Sequence, residues 1–303
     1  MEPSLPSRLL PLFVRALHFQ RPFITRAGAE RHLQERTLRP RSYAPPRRLR
    51  GDVEIEVANT GSWPVYTITP ATSRPVGGLV YVHGGGWVNE ISSPHWHLAA
   101  QIAAEARLAV TVPIYPLIPH GTAAEVVAGV AGLVTASTTA YGPTSLAGDS
   151  AGGQIALSTA LQLRDGQGVR LPQTVLISPA LDLSLANPDV DALQPMDPWL
   201  GREGTRLFID HWRGGLALDD PRVSPLAADL RGMGPITLFS GTRDILNPDT
   251  HLLVEALHAA GVPLDFHEGP GLLHVYPLTP TPEGRRARAT IVEQLRTAHP
   301  AAG

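Results

Sequence analysis

The sequence predicts an α/β fold built on a mostly parallel sheet covered by helices on both faces. Three observations carry that reading. An antiparallel start gives way to strands that alternate with helical segments, the order that a parallel sheet with crossover helices requires. Residues 144–147 read as a buried strand that runs through Gly148-Asp149-Ser150-Ala151-Gly152 directly into a helical segment. A second buried strand, Gly78–Val82, ends in three consecutive glycines, His83-Gly84-Gly85-Gly86-Trp87.

Taken in order, Leu5, Leu9, Leu12, Phe13, Ala16 and Leu17 recur at helical spacing, and residues 29–38 form a second helical candidate. Residues 52–58 (DVEIEVA) and 65–69 alternate in polarity around Asn59-Thr60-Gly61, which reads as a hairpin. After the strand Gly78–Val82 come a helix over 96–106, a strand over 109–114 and a helix over 123–135. The strand at 144–147 leads into a helix over 154–163, and 174–177 is the next strand. Residues 184–232 break the rhythm with prolines and tryptophans around a helical 202–212. The chain then resumes with a strand at 235–239, a helix at 251–260, a strand at 264–267 and a closing helix at 283–297. The whole of 1–303 reads as one domain, with a helical cap contributed by about 1–45 and 184–232.

Composition narrows the chemistry. Of 303 residues, 43% are hydrophobic and 17% charged, and the net charge is −2, so no overall field favours nucleic acid. There is no cysteine, which excludes a thiolate nucleophile or thiolate zinc site. All 25 basic residues are arginine, and the absence of lysine excludes Schiff-base and Ser-Lys chemistry. Charge is uneven: residues 1–50 carry eleven arginines against three glutamates, a net +8. That segment reads as a lid, as a packed helix pair with solvated arginines, or as an arm on a membrane surface. No apolar run reads as long enough to span a bilayer. Glu2 and Arg15 argue against a signal peptide, so the expected location is cytoplasmic, without stable membrane insertion. An exposed final strand would allow two copies to pair edge to edge.

Gly148-Asp149-Ser150-Ala151-Gly152 is a G-x-S-x-G pattern, in which a serine on a tight strand-to-helix turn is lifted clear of the sheet. A serine hydroxyl needs a base, and the base needs an orienting acid. On such a sheet these follow in the order serine, acid, histidine. Asp244, in GTRDIL after the strand at 235–239, fits the acid, with Asp182, Asp249 and Asp265 as competing carboxylates. His274, in GLLHVYP, fits the base, with His267, at the end of the strand before it, as its rival. The amides of Gly85, Gly86 and Ala151 are candidate donors to an oxyanion. His83 reads as a brace for the glycine loop, and Asp149 as orienting the turn through backbone hydrogen bonds. His95 and His97 flank Trp96 without further ligands nearby, so no metal site is expected. Trp87, Trp96, Trp199 and Tyr276 are candidate pocket walls.

Together, HGGGW at 83–87, GDSAGG at 148–153, the aspartate of GTRDIL and the histidine of GLLHVYP resemble the hormone-sensitive-lipase-like branch of the α/β-hydrolase superfamily of esterases. The resemblance runs from about Gly78 to Tyr276. It implies an eight-stranded sheet, a helical cap and hydrolysis of carboxylic esters with short to medium acyl chains through an acyl-enzyme, without a cofactor. It puts the nucleophile on Ser150, the acid on Asp244, the base on His274 and the oxyanion donors on Gly85, Gly86 and Ala151. Two stretches depart from the family pattern. Tyr115-Pro116-Leu117-Ile118-Pro119-His120 stands where many members read Tyr-Arg-Leu-Ala-Pro-Glu, and Val275-Tyr276 stands for the commoner Gly-Phe. Two other readings stay open: an arylformamidase-like amide hydrolase, and a non-catalytic small-molecule receptor on the same scaffold.

Overall fold

The computed structural model describes residues 2–60 and 63–300. Its sheet has eight strands in the order β1-β2-β4-β3-β5-β6-β7-β8. The hairpin β1 (Val53–Thr60) and β2 (Trp63–Pro70) pairs antiparallel, and β2 joins β4 (Ala109–Pro113) in the same sense. Gly61 of the expected turn lies outside the described residues. From β4 onward the sheet is parallel through β3 (Gly78–Val82), β5 (Thr144–Asp149), β6 (Thr174–Ile177), β7 (Ile236–Arg243) and β8 (Leu264–Leu273). The fold class expected from the sequence is the one found.

Helices α4 (Ser93–Ala106), α5 (Ala123–Tyr141), α6 (Ala151–Gln167), α9 (Asn247–Ala259) and α10 (Pro282–Ala298) cover the sheet. The two-residue side-chain period of β3 splits the core. Leu79 and Tyr81 meet α4 and α10, while Val80 and Val82 meet α5 and α6. Both layers exclude water from these strands, and each large apolar side chain gains roughly 1.5–3 kcal/mol on burial. Helix α4 starts where Ser92 N–H donates to His95 Nδ1 at 2.9 Å, and α10 starts where Gly284 N–H donates to Thr281 Oγ1 at 3.1 Å.

Helix α5 corrects one expectation. At 19 residues it is long and apolar enough, by length and composition, to cross a bilayer. In the structure Val126, Val127, Val130 and Val134 are buried against the sheet layer instead.

Before the sheet come α1 (Leu5–Ala16), α2 (Arg21–Ile24) and α3 (Arg26–Leu38). Between β6 and β7 lie α7 (Val190–Leu193) and α8 (Arg202–Trp212). Helices α2 and α3 pack on α8, with Phe23 edge-on to Phe208 at 5.7 Å between ring centres. Helix α1 lies elsewhere, against β8 and α10. There Glu283 accepts from Ser4 N–H at 2.8 Å, Ser4 Oγ at 2.8 Å and Ser7 Oγ at 2.6 Å.

Candidate active site

Ser150 stands between β5 and α6 with φ 53° and ψ −119°, a region that a side chain with a Cβ rarely occupies. The surrounding structure enforces it. Ser150 N–H donates to Ile177 O at 2.8 Å, and Ser150 O accepts from Gln154 N–H and Ala180 N–H. Helix and strand come so close that a Cβ on Gly152 would run into the Val82 and His83 carbonyls.

Three distant segments meet at this turn. His274 Nε2 lies 2.9 Å from Ser150 Oγ, and His274 Nδ1 lies 2.7 Å from Asp244 Oδ2. The other Asp244 oxygen accepts from Leu246 N–H at 3.0 Å. Burial acts to lower the His274 pKa, but the facing Asp244 carboxylate outweighs it, and the imidazole ends above its ordinary 6.5. Strand β8 runs on to Leu273, beyond the expected end at His267, so His274 caps the strand and faces the turn.

The competing residues are engaged elsewhere. His267 bonds Asp265 at 2.7 Å and stacks on Phe239; Asp249 accepts from Asn187 Nδ2 at 2.8 Å. Asp182 accepts from Ser184 N–H and Oγ, both at 2.9 Å.

The glycine loop after β3 lines the same pocket, which includes Gly85, Gly86, Ser150, Trp199 and His274. Gly85 adopts φ 126°, and a Cβ there would strike Asn89 O, so only glycine fits. The amides of Gly85, Gly86 and Ala151 have no protein acceptor among the described residues. Asp149 does more for this loop than expected, because its side chain ties the loop down. Oδ1 accepts from Tyr81 Oη at 2.7 Å and from Gly84 N–H at 3.0 Å, while Oδ2 faces His95 Nε2 at 3.2 Å. Burial pushes the Asp149 carboxyl up, but His95 and Tyr81 prevail and hold it below its ordinary value. His83, whose Nδ1 lies 2.7 Å from Gly84 O, is held neutral because burial pulls its pKa down to about 4. Among the described residues, no cluster of three or more metal-ligand side chains occurs.

Of the candidate pocket walls, Trp199 lines the pocket, with its ring edge-on to His274 at 6.3 Å. Trp87 is buried and stacks on Trp212 at 5.8 Å. Both indole N–H groups donate to Gln154 Oε1, so Trp87 is mainly a core residue whose side borders an inner slot. Trp96 is buried against Tyr66. Tyr276 corrects the sequence reading, because it does not border the serine. Val275 adopts φ 48° and reverses the chain, so Tyr276 packs edge-on to Phe239 in the core layer shared with α4 and α10.

Two cavities adjoin Ser150. An open one of about 550 Å³ includes His274, Trp199, Leu17 and Phe19. An enclosed apolar slot of about 30 Å³ is walled by Gly86, Trp87, Ala151, Leu185, Ile209 and Leu246 and lacks His274.

Sequence reading missed Asp197, which lies in the irregular stretch before α8. It is buried, accepts from Trp199 N–H at 2.7 Å and Leu200 N–H at 3.0 Å, and through Oδ2 from Ile245 N–H at 3.0 Å. Burial, and then repulsion from Asp244, raise its pKa to about 6. The available signal was an aspartate two residues before the pocket tryptophan, a spacing that favours local side-chain to backbone bonds.

A family model described as alpha/beta hydrolase fold matches residues 79–278. The chain is 35% identical over 236 residues to a triacylglycerol lipase of Mycobacterium tuberculosis, covering 76% of this chain and 48% of that protein. It is 31% identical over 228 residues to an acetyl-hydrolase of Streptomyces hygroscopicus, covering 73% of this chain and 75% of that one. Among solved structures, an esterase of the bacterial hormone-sensitive lipase family superposes with a TM-score of 0.79 at 27% identity. That match covers 99% of this chain and all of the other.

Proposed function

We propose a function from one premise: this chain belongs to the hormone-sensitive-lipase-like esterase branch of the α/β-hydrolase superfamily. It is a carboxylic ester hydrolase, and in our reading it works by a serine mechanism with a preference for short acyl groups. The observation that carries the serine mechanism is the unbroken hydrogen-bonded line Asp244–His274–Ser150 beside amides that have no protein acceptor among the described residues.

His274 Nε2 takes the Ser150 proton as Oγ bonds to the ester carbonyl carbon. The electron pair moved onto the carbonyl oxygen is held by the Gly85, Gly86 and Ala151 amides, each such donor contributing on the order of 100- to 1000-fold in rate. Collapse of the tetrahedral species breaks the bond to the alkoxy oxygen, which leaves with the proton from His274. Water then repeats the sequence on the acyl-enzyme, returning the serine and releasing the acid. Asp244 holds the imidazole and faces the imidazolium formed in each half.

The two cavities support an assignment of the two substrate halves. The leaving oxygen must lie within reach of His274, so the alcohol occupies the open pocket that His274 lines. The acyl tail is left with the enclosed slot, whose size suits acetyl to propionyl groups. Helices α2 and α3 with the 184–232 insertion act as the cap that shapes both.

The test is covalent labelling with an organophosphate, followed by peptide mapping. Modification on Ser150, lost in Ser150→Ala together with at least a thousandfold of turnover, is the expected outcome. Labelling at another serine would displace the assignment.

A further inference from the structure

Helix α1 is seated the wrong way round for a packing helix. Its apolar stripe, Leu5, Leu9, Leu12, Phe13 and Leu17 just beyond its end, is between 50% and 66% exposed. The face turned to the protein is formed by Ser7, Pro11 and Val14, and polar groups hold it. Ser4 and Ser7 bond Glu283, and Arg15 Nη2 donates to Pro195 O at 2.8 Å. A surface helix ordinarily buries its apolar stripe and exposes its polar side. Here the order is inverted, and Phe19 and Ile24 extend the exposed apolar surface beyond the helix.

We propose that this face of α1 seats the protein on an anionic lipid surface, with the mouth of the active-site pocket turned toward it. Arg8 and Arg15 flank the stripe on one side, and Arg21 continues the positive charge past its end, whereas Arg26 is paired with Glu30 at 3.2 Å. Glu2, Glu30 and Glu35 are the acidic residues of this segment, and Glu283 faces α1 from α10. The balance over residues 1–50 remains +8 in a chain of net charge −2. Exposed leucines and a phenylalanine bordered by arginines match a helix that lies in the headgroup plane rather than crossing the bilayer. A second copy of the chain fits less well, because pairing α1 with α1 would bring two segments of charge +8 together.

The placement links this face to the site. Leu17, His18 and Phe19, at the end of α1, are rim residues of the open pocket that contains Ser150 and His274. Phe19 stacks on Trp199 at 5.9 Å, so the exposed face and the pocket mouth share a border. A lipid-dissolved ester would enter without crossing bulk water. This orientation rests on the esterase reading; the binding itself does not.

Binding is measured on Ser150→Ala protein, so that turnover plays no part, by co-sedimentation with two kinds of vesicle. One is phosphatidylcholine alone and the other contains about one third phosphatidylglycerol. Expected is partition onto the anionic vesicles at least about tenfold above the neutral ones, reduced by salt. Leu12→Glu with Phe13→Glu should lower it about tenfold or more, and Arg8→Gln about threefold. Melting temperatures should stay unchanged, because all three side chains are exposed, and turnover of soluble p-nitrophenyl acetate by the same changes on the active chain should stay within about twofold. Absence of vesicle binding, or binding indifferent to the double change, overturns the proposal. Self-association that the double change abolishes, without vesicle binding, overturns it in favour of a protein interface.

Discussion

Asp197 and Asp244 meet at one buried wall of the site, and their different partners give them different roles. Asp244 faces the His274 ring, whereas Asp197 holds three backbone amides that fix the Trp199 loop and the start of the Asp244 loop. Asp244→Asn should lower kcat by about 10⁴-fold, because the amide presents a donor to Nδ1 and spoils the tautomer. Asp182→Asn should stay within about threefold, since among the described residues the Asp182 carboxylate accepts from Ser184 alone. Asp197→Asn should fall between, costing about 1.5–3 kcal/mol of stability as one amide loses its charged partner. As a positioning residue it should lower kcat more than it alters KM, a split that steady-state kinetics reads. The raised His274 pKa adds a pH signature: catalysis needs the neutral imidazole, so kcat/KM should rise with pH through a midpoint above 6.5. A midpoint below 6.5 would contradict the pairing with Asp244. Ser150, Asp244 and His274 were legible as residues because each sits in a short motif at a strand end. Asp197 was not, because its partners are backbone amides brought together only by the fold.

At the scale of elements, alternation and helical spacing located the sheet and its helices but blurred their ends. Helix α6 starts at Ala151, immediately after the serine, and β8 reaches Leu273. Local propensity cannot see the tertiary contacts that extend such elements. The apolar spacing of α1 was legible too, yet spacing does not say which face docks. Helix α8 was bounded correctly at Arg202–Trp212, and it carries a prediction. Ile209 is buried and walls the slot beside Ser150, so Ile209→Ala should open that slot. The ratio of kcat/KM for hexanoate over acetate should rise about tenfold, at about 2–4 kcal/mol of stability. Acyl-length profiles of p-nitrophenyl esters check this. An unchanged profile with an altered alcohol preference would reverse the assignment of the two cavities.

Across the whole molecule, the buried acids set opposing demands on pH. Asp197 and Asp249 are each raised to about 6, the first by burial and Asp244, the second by burial and then Asp182 against the bond from Asn187. An acid whose folded pKa is raised keeps its proton where the unfolded chain has released it, so stability falls as pH rises from about 4 through about 6. Glu283 behaves in the opposite sense. Burial would raise it, but the bonds from Ser7 and Ser4 draw it down to about 2, and Asp149 is also lowered. Their stabilisation is present above about pH 4 and is lost as pH falls through the folded values. Urea midpoints measured from pH 3 to pH 8 should therefore peak near pH 4, with Asp197→Asn and Asp249→Asn each flattening the decline between about pH 4 and 6. Glu283→Gln should flatten the one on the acid side of the peak, and it alone should loosen α1, read as faster proteolysis within residues 1–20. Stability therefore declines where Asp197 and Asp249 ionise, between about pH 4 and 6, whereas turnover rises later, through a midpoint above 6.5 where the His274 imidazole is freed. A urea midpoint that fails to fall between about pH 4 and pH 6 would mean that Asp197 and Asp249 are already ionised in the folded protein over that range, and the raised values assigned to these two buried acids would be wrong.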